Sequence, residues 1–104
     1  MKTASLLRPV KLKDGREFPQ GARFAIAFDK TPKGSPLLVA TLESDSTVSF
    51  RTLRPSIFFR APSLRTMEKW MDSGIARTVT GDKTEPDGYG PDGAPSWLLA
   101  LGMI

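Results

Sequence analysis

The side chains that could perform catalysis are few in this chain. Among its 104 residues there is no histidine and no cysteine, which excludes a Ser–His pair, an imidazole or thiolate metal ligand and a cysteine nucleophile. A reacting carboxylate pair needs a rigid, partly dry pocket that separates the two pKa values. The sequence therefore predicts a protein that is not an enzyme and has no catalytic residues, cofactor or metal. The carboxylates nearest to such a pair lie in a glycine- and proline-rich loop: Asp82, Glu85, Asp87 and Asp92.

The same loop contains two spacings that elsewhere mark ligand sites. Residues 88–93 match G-x-G-x-x-G, but Pro91 and a further turn stand where a dinucleotide-binding loop has the helix that holds pyrophosphate. Asp82, Asp87 and Asp92 could contact calcium, but the late bidentate glutamate of an EF-hand loop is absent. Both spacings are therefore predicted to be Pro-Asp-Gly turns.

Basic residues are numerous enough to form a binding surface. The chain carries fifteen Lys and Arg against eleven Asp and Glu, a formal net charge of +4. Residues 1–66 hold twelve basic and five acidic side chains, whereas residues 67–104 hold three and six. A basic half of this kind predicts contact with a polyanion, with a merely solubilising charged surface as the alternative. The candidate nucleic-acid-binding residues are Lys11, Lys13, Arg16, Arg51, Arg54, Arg60, Arg65, Lys69 and Arg77.

The elements that position the first six of these residues are predicted to be short strands. Residues 23–28 alternate in polarity, residues 37–42 are nearly all apolar, and alternation returns in residues 47–53. Residues 1–9 show no period and are predicted to be an arm. Asp14-Gly15 is typical of a two-residue hairpin loop. Such a loop sets Leu12 opposite Glu17 and Lys11 opposite Phe18.

Several short strands without an intervening helix predict an antiparallel meander. The fold class is therefore predicted to be mainly β (α+β): a small curled antiparallel sheet or SH3-like barrel, with one central helix and a short apolar C-terminal segment. Residues 9–59 resemble an SH3-like barrel in their turn-rich first segment, the strand after a Pro-x-Gly turn and the following hairpin.

Residues 63–83 predict the one substantial helix and a strand after it. Ser63 is a residue type that caps helix N-termini, and Gly74 is one that ends helices. Residues 75–80 predict a strand that turns at Gly81. The apolar face of the helix is predicted to consist of Leu64, Met67, Trp70 and Met71.

This stretch resembles the second helix and wing of the excisionase/MerR-type winged helix. The matching residues are Ser63, Arg65, Thr66, Met67, Trp70, Gly74, Ile75 and Gly81. The resemblance implies that the helix lies in the major groove of DNA and that the wing touches the backbone. It implies core positions for Met67 and Trp70. It assigns DNA contacts to Arg65, Thr66 and Lys69, and phosphate contacts to Arg77 and Lys83.

The C-terminal residues predict a cap on the core. After the two Pro-Asp-Gly turns, Ser96 can cap a short helix over residues 97–101 that Gly102 closes. Because apolar surface is unfavourable in water, this segment is expected to pack against the rest of the chain. Most of the six phenylalanines are also expected inside. One shared core is predicted for Phe24, Ile26, Phe28, Leu38, Val39, Val48, Phe50, Met67, Trp70 and Trp97.

These features together predict a single domain over residues 1–104, with a basic β-rich half (1–60) and a half containing the helix, wing-like strand, double turn and cap (61–104). No apolar run suits a signal peptide or membrane helix, so a cytoplasmic protein without a membrane partner is expected. The predicted function is non-catalytic binding of DNA or RNA by an accessory or regulatory protein. The alternative is a small protein-interaction module or modulator that docks on a larger protein machine, with an acidic protein surface as its partner.

Overall fold

The fold is built around one long antiparallel strand pair. A computed structural model describes residues 2–104. Alternating Phe24, Ile26 and Phe28 put their side chains on one face of β4 (Arg23–Lys30), and they lie opposite Leu42, Ala40 and Leu38 of β5 (Pro36–Leu42). The helices are α1 (Leu64–Ser73) and α2 (Trp97–Ala100), with a 3-10 turn at Pro55–Ile57. The strands are β1 (Lys2–Ser5), β2 (Val10–Lys11), β3 (Glu17–Phe18), β4 (Arg23–Lys30), β5 (Pro36–Leu42), β6 (Ser49–Thr52), β7 (Ala76–Arg77) and β8 (Lys83–Thr84).

The main sheet has four antiparallel strands in the order β1-β4-β5-β6. The mainly β fold class with a small antiparallel sheet is therefore confirmed. In residues 2–104 the sheet is open rather than a closed barrel, with β1 and β6 as its edges. The prediction of an arm over residues 1–9 is wrong, because Lys2–Ser5 pairs along β4 and Leu6 is only 2% exposed. Residues 2–5 form a strand, although their sequence shows no alternation of polarity, because they pair with β4.

The hairpin of β2 and β3 forms in a different register from the predicted one. Its pairs are Val10 with Phe18 and Lys11 with Glu17, one residue away from the expected alignment. The Leu12 N–H donates to the Arg16 carbonyl, so the loop has three residues, and Gly15 takes φ +93° at its end. A three-residue loop ending in a left-handed glycine is a common hairpin type. This register sets an apolar pair and an oppositely charged pair across the strands.

The first of two cores is formed by the sheet and the hairpin that folds over it. Phe24 lies at its centre and is fully buried, and it meets the rings of Phe18, Phe50 and Phe58 edge to face at centroid distances of 5.2–5.5 Å. Such ring pairs add to the stabilisation that burial itself provides. The buried members of this sheet core are Leu6, Phe24, Ile26, Leu38, Ala40, Phe50 and Phe58.

The helix α1 has the predicted limits and caps. The Ser63 hydroxyl accepts a hydrogen bond from the Thr66 N–H, and Gly74 ends the helix in the left-handed conformation at φ +74°. Its apolar face is only partly covered, since Met67 is buried whereas Leu64 and Met71 are 60% and 48% exposed. Trp70 is half-buried.

The strand predicted over residues 75–80 is shorter in the structure. Regular pairing in β7 stops at Arg77, and Thr78 instead forms a bridge with Ser96. The Ser96 hydroxyl donates to the Pro86 carbonyl and accepts from the Leu99 N–H, so it joins the double turn to the cap of α2. The predicted C-terminal cap is confirmed, with Trp97 and Leu98 buried.

The prediction of one shared core is wrong. A second group of buried residues, the cap core, consists of Met67, Ala76, Val79, Ala94, Trp97 and Leu98. Half-buried Phe28 and Phe59 pack against both cores and connect them. The cores are separate because the cap residues lie beyond the end of the short sheet and bury their side chains on α1 and β7. Val39 and Val48 stay half-buried outside both cores.

Within residues 2–104, neither α1 nor α2 is long and apolar enough to cross a membrane.

Candidate functional site

The β2–β3 hairpin holds three of the predicted basic residues, and a fourth lies on β6, the strand to which the hairpin loop is fastened. The Arg16 guanidinium donates to the Ser49 carbonyl at 3.0 Å, which fastens the β2–β3 loop to the exposed edge of β6. Because Phe50 points into the sheet core, its neighbour Arg51 projects from the opposite face. Residues Lys11, Lys13, Arg16 and Arg51 are called the hairpin group below.

Two members of the hairpin group already have acidic partners. Arg16 Nε lies 2.8 Å from Asp14 Oδ2, and Lys11 Nζ lies 3.7 Å from Glu17 Oε1. Hydrogen bonds from the Arg16 backbone N–H and guanidinium hold the pKa of Asp14 below its ordinary value. Arg16 is therefore chiefly a structural residue that positions the loop. Lys13 and Arg51, by contrast, are exposed and make no ion pair in the described part of the chain.

The two basic residues of α1, called the helix pair, lie one turn apart on its exposed surface. Arg65 and Lys69 are both exposed, as four-residue spacing on one helix face allows. Glu68 and Asp72 are exposed on the same helix, so its surface has no net charge. The Thr66 hydroxyl lies 3.0 Å from that of Ser63 and shares a hydrogen bond with it within the helix cap.

The remaining predicted residues lie apart from these two groups. Arg54 follows β6 and Arg60 precedes α1, and both are exposed. Arg77 on β7 donates to the Gly81 carbonyl at 2.9 Å and so supports its own turn. Sequence reasoning missed Arg8, which lines a surface cleft together with Arg60. The only signal for Arg8 was its charge, because residues 1–9 were expected to be an unpaired arm.

In residues 2–104, no exposed aromatic side chain lies in the hairpin group. All six phenylalanines are buried or half-buried, as expected. Tyr89 is 39% exposed, but Lys30 Nζ lies 4.7 Å from its ring centroid, and the ring lies beside the C-terminal residues rather than the hairpin group. A nucleic acid that contacted the hairpin group would therefore meet charges without a surface for stacking of bases.

The acidic loop belongs to the cap core and is internally bonded. Asp92 accepts hydrogen bonds from the Thr80 hydroxyl at 2.7 Å and the Ala94 N–H at 3.1 Å, and Lys2 of β1 lies 3.6 Å away. Burial raises the pKa of Asp92, but these two hydrogen bonds and Lys2 outweigh it and hold the pKa below the ordinary value. In residues 2–104 no three acidic side chains are placed to share a metal ion.

The contribution of Asp92 to stability can be measured by substitution, with Asp87 of the other Pro-Asp-Gly turn as the control. Asp92→Asn is expected to lower the free energy of unfolding by about 1 kcal/mol at pH 7, because the Thr80 and Lys2 contacts are lost. Since the folded pKa is lowered, the contribution is complete above about pH 4 and disappears as the pH falls through the folded value. Urea unfolding of the parent protein and of Asp92→Asn at several pH values from about 3 to 7 measures the difference in the free energy of unfolding.

Asp87→Asn in the other Pro-Asp-Gly turn is the control for this measurement. Asp87 is exposed and its carboxylate makes no ion pair in the described residues. We therefore expect this substitution to leave the free energy of unfolding nearly unchanged at pH 7, within about 0.5 kcal/mol. Equal stability losses in the two variants would contradict the role assigned to Asp92.

Comparison with known proteins identified no relative of this chain. No protein-family model, curated protein sequence or solved structure matches the chain. The resemblances of residues 63–83 to a winged helix and of residues 9–59 to an SH3-like barrel therefore stay predictions.

Proposed function

We propose that this protein binds DNA or RNA without catalysis, through phosphate contacts on the basic side of its sheet core. The observation that carries the proposal is a group of exposed basic side chains with no acidic partner in residues 2–104. The predicted site residues in this group on the sheet half are Lys13, Arg51, Arg54 and Arg60, and Arg8, Lys30 and Lys33 are likewise exposed without an ion pair.

The distribution of charge along the chain supports the sheet core as the part of the molecule that contacts phosphates. The basic residues 1–66 contain the whole buried sheet core, whereas residues 67–104, with an excess of acidic side chains, contain the whole buried cap core. We therefore expect a polyanion to be attracted more strongly to the segments that form the sheet core than to those that form the cap core. The neutral surface of α1 favours the hairpin group over the helix pair as the principal contact.

The absence of a stacking surface near the hairpin group favours recognition of the backbone. Phosphate contacts position a protein on nucleic acid but carry no sequence information. We propose an accessory or regulatory role that does not depend on base sequence, in the cytoplasm, where nucleic acid is accessible to the protein.

Salt dependence tests this proposal directly. We expect the affinity for labelled duplex and single-stranded oligonucleotides to fall steeply between about 50 and 200 mM salt, because each phosphate contact releases condensed counterions. Two oligonucleotides of unrelated sequence should bind equally well. Fluorescence anisotropy titrations provide the measurement. Failure to bind either form at the lower salt concentration would refute nucleic-acid binding.

A second candidate function is docking on an acidic protein surface through an apolar anchor. The C-terminal segment and the residue after β6 expose Leu53 (56%), Leu101 (42%) and Ile104 (55%) beside one groove. Lys33 also lines this groove, and no Asp or Glu side chain is among its lining residues. Apolar anchors next to a basic side chain suit a partner that combines acidic and apolar groups.

The two functions predict opposite responses to one substitution. Leu53→Ser should weaken binding to a purified protein partner strongly, because it removes an apolar anchor from the groove. It should leave oligonucleotide affinity nearly unchanged, since it alters no charge.

A further inference from the structure

A surface cleft beside the sheet core brings together two arginines that are far apart in the sequence. One wall comes from the connection between β1 and β2, one from the turn before β4, and one from the 3-10 turn and the residues after it. The cleft, called the arginine cleft below, is lined by Leu6, Leu7, Arg8, Gln20, Gly21, Ser56, Arg60 and Ala61.

The backbone around the arginine cleft is fixed by hydrogen bonds that join its walls. The Leu6 N–H donates to the Ala22 carbonyl and the Gly21 N–H donates to the Leu6 carbonyl, each at 2.9 Å. The Leu7 N–H donates to the Ile57 carbonyl, also at 2.9 Å. Leu6 itself is buried in the sheet core. The cleft is therefore preformed, and a ligand does not have to order its walls.

The polar side chains of the arginine cleft are available to a ligand. Among residues 2–104, the side chains of Arg8, Gln20, Ser56 and Arg60 make no hydrogen bond to another side chain or to the backbone, and the two arginines make no ion pair. No Asp or Glu lines the cleft. Guanidinium groups stay charged at every physiological pH, so the cleft holds two positive charges without a counter-charge.

We propose that the arginine cleft binds the phosphate group of a phosphate monoester. Such a group carries nearly two negative charges near neutral pH and offers three terminal oxygens as acceptors. It can therefore accept forked hydrogen bonds from both guanidinium groups, with the Ser56 hydroxyl and Gln20 amide as further donors. A carboxylate carries one charge and is satisfied by one guanidinium, which leaves the second arginine uncompensated.

This site differs from the phosphate contacts proposed above for a nucleic-acid backbone. Those contacts involve single exposed side chains and internal phosphodiesters, which carry one charge each. The arginine cleft is a concave site for a terminal phosphate, and it does not require a polynucleotide to be occupied. Arg60 takes part in both proposals, whereas Arg8 belongs to the cleft alone.

Inorganic phosphate is the probe for the first experiment. Two-dimensional amide NMR spectra of the full chain are recorded during phosphate titration, with the ionic strength held constant by sodium chloride. We expect saturable shifts confined to amides around Leu7, Gly21 and Ile57. Arg8→Gln and Arg60→Gln should each weaken binding at least about tenfold. Both side chains are exposed, so the variants should melt like the parent protein.

Lys33→Gln removes the same charge far from the cleft and provides the matched control. This variant should bind phosphate as tightly as the parent. Shifts that do not saturate, that spread over all basic residues, or that weaken equally in Lys33→Gln and Arg8→Gln would overturn the proposal. These outcomes do not bear on oligonucleotide binding, because that function depends on Lys13, Arg51 and Arg54 as well.

Two oligonucleotides that differ only at the 5′ end identify the source of the phosphate. Tighter binding of the 5′-phosphorylated strand than of the 5′-hydroxyl strand, with the difference lost in Arg8→Gln, assigns the cleft to the end of a nucleic-acid strand. Equal binding of the two strands, with inorganic phosphate still saturating the cleft, assigns it to a free phosphorylated small molecule.

Discussion

Replacing Trp97 by alanine is expected to lower the free energy of unfolding by about 3–5 kcal/mol. Trp97 is 4% exposed and is the largest side chain of the cap core, so its removal leaves a cavity that the short helix α2 cannot fill. A loss of this size is a large fraction of the stability of an ordinary domain of this length. Urea unfolding followed by far-ultraviolet circular dichroism measures the change.

Two substitutions on neighbouring elements serve as controls. Trp70→Ala should cost less, about 1–2 kcal/mol, because Trp70 is only half-buried on α1. Leu101→Ala should change stability by less than about 0.5 kcal/mol, since Leu101 is 42% exposed after α2. If Trp97→Ala unfolded at the parent's urea concentration, the cap core would not contribute to stability.

Reversing two charges of the hairpin group is expected to reduce oligonucleotide affinity about 100-fold at low salt. The double variant Lys13→Glu/Arg51→Glu removes two unpaired cations and adds two anions on the side proposed to contact phosphates. The slope of log affinity against log salt should also become shallower by about two units. Anisotropy titration at several salt concentrations measures both quantities.

Reversing the helix pair provides a control with the same change in net charge. Arg65→Glu/Lys69→Glu should weaken binding much less, because Glu68 and Asp72 already neutralise the surface of α1. A larger loss in this variant, together with a change in sequence preference, would favour the winged-helix resemblance, in which the helix reads bases in the major groove.

The sequence predicted those elements whose signals are local. Capping by Ser63 and termination by Gly74 set the limits of α1, and alternation identified β4. The sequence did not predict β1, because its four residues are too few to show an alternation of polarity. Their strand structure depends on pairing with β4. The hairpin register was missed because Asp14-Gly15 also fits the end of a three-residue loop.

The candidate site was predictable as charge but not as geometry. A sequence shows that Arg16 and Arg77 are cationic, yet only the folded chain shows that their guanidinium groups bond to the Ser49 and Gly81 carbonyls. The pairing of Arg8 with Arg60 in one cleft likewise depends on the Leu7–Ile57 hydrogen bond, which joins segments fifty residues apart. Long-range contacts of this kind have no local sequence signature.

The division of the molecule into two cores has a consequence for the order of folding. Every buried residue of the sheet core lies between Leu6 and Phe58, and every buried residue of the cap core lies between Met67 and Leu98. During synthesis, the complete sheet core leaves the ribosome before the cap core does, because the chain emerges from its N-terminus. Phe28 and Phe59 are then exposed until the later residues arrive, so the growing chain presents a transient apolar surface that folding chaperones can bind.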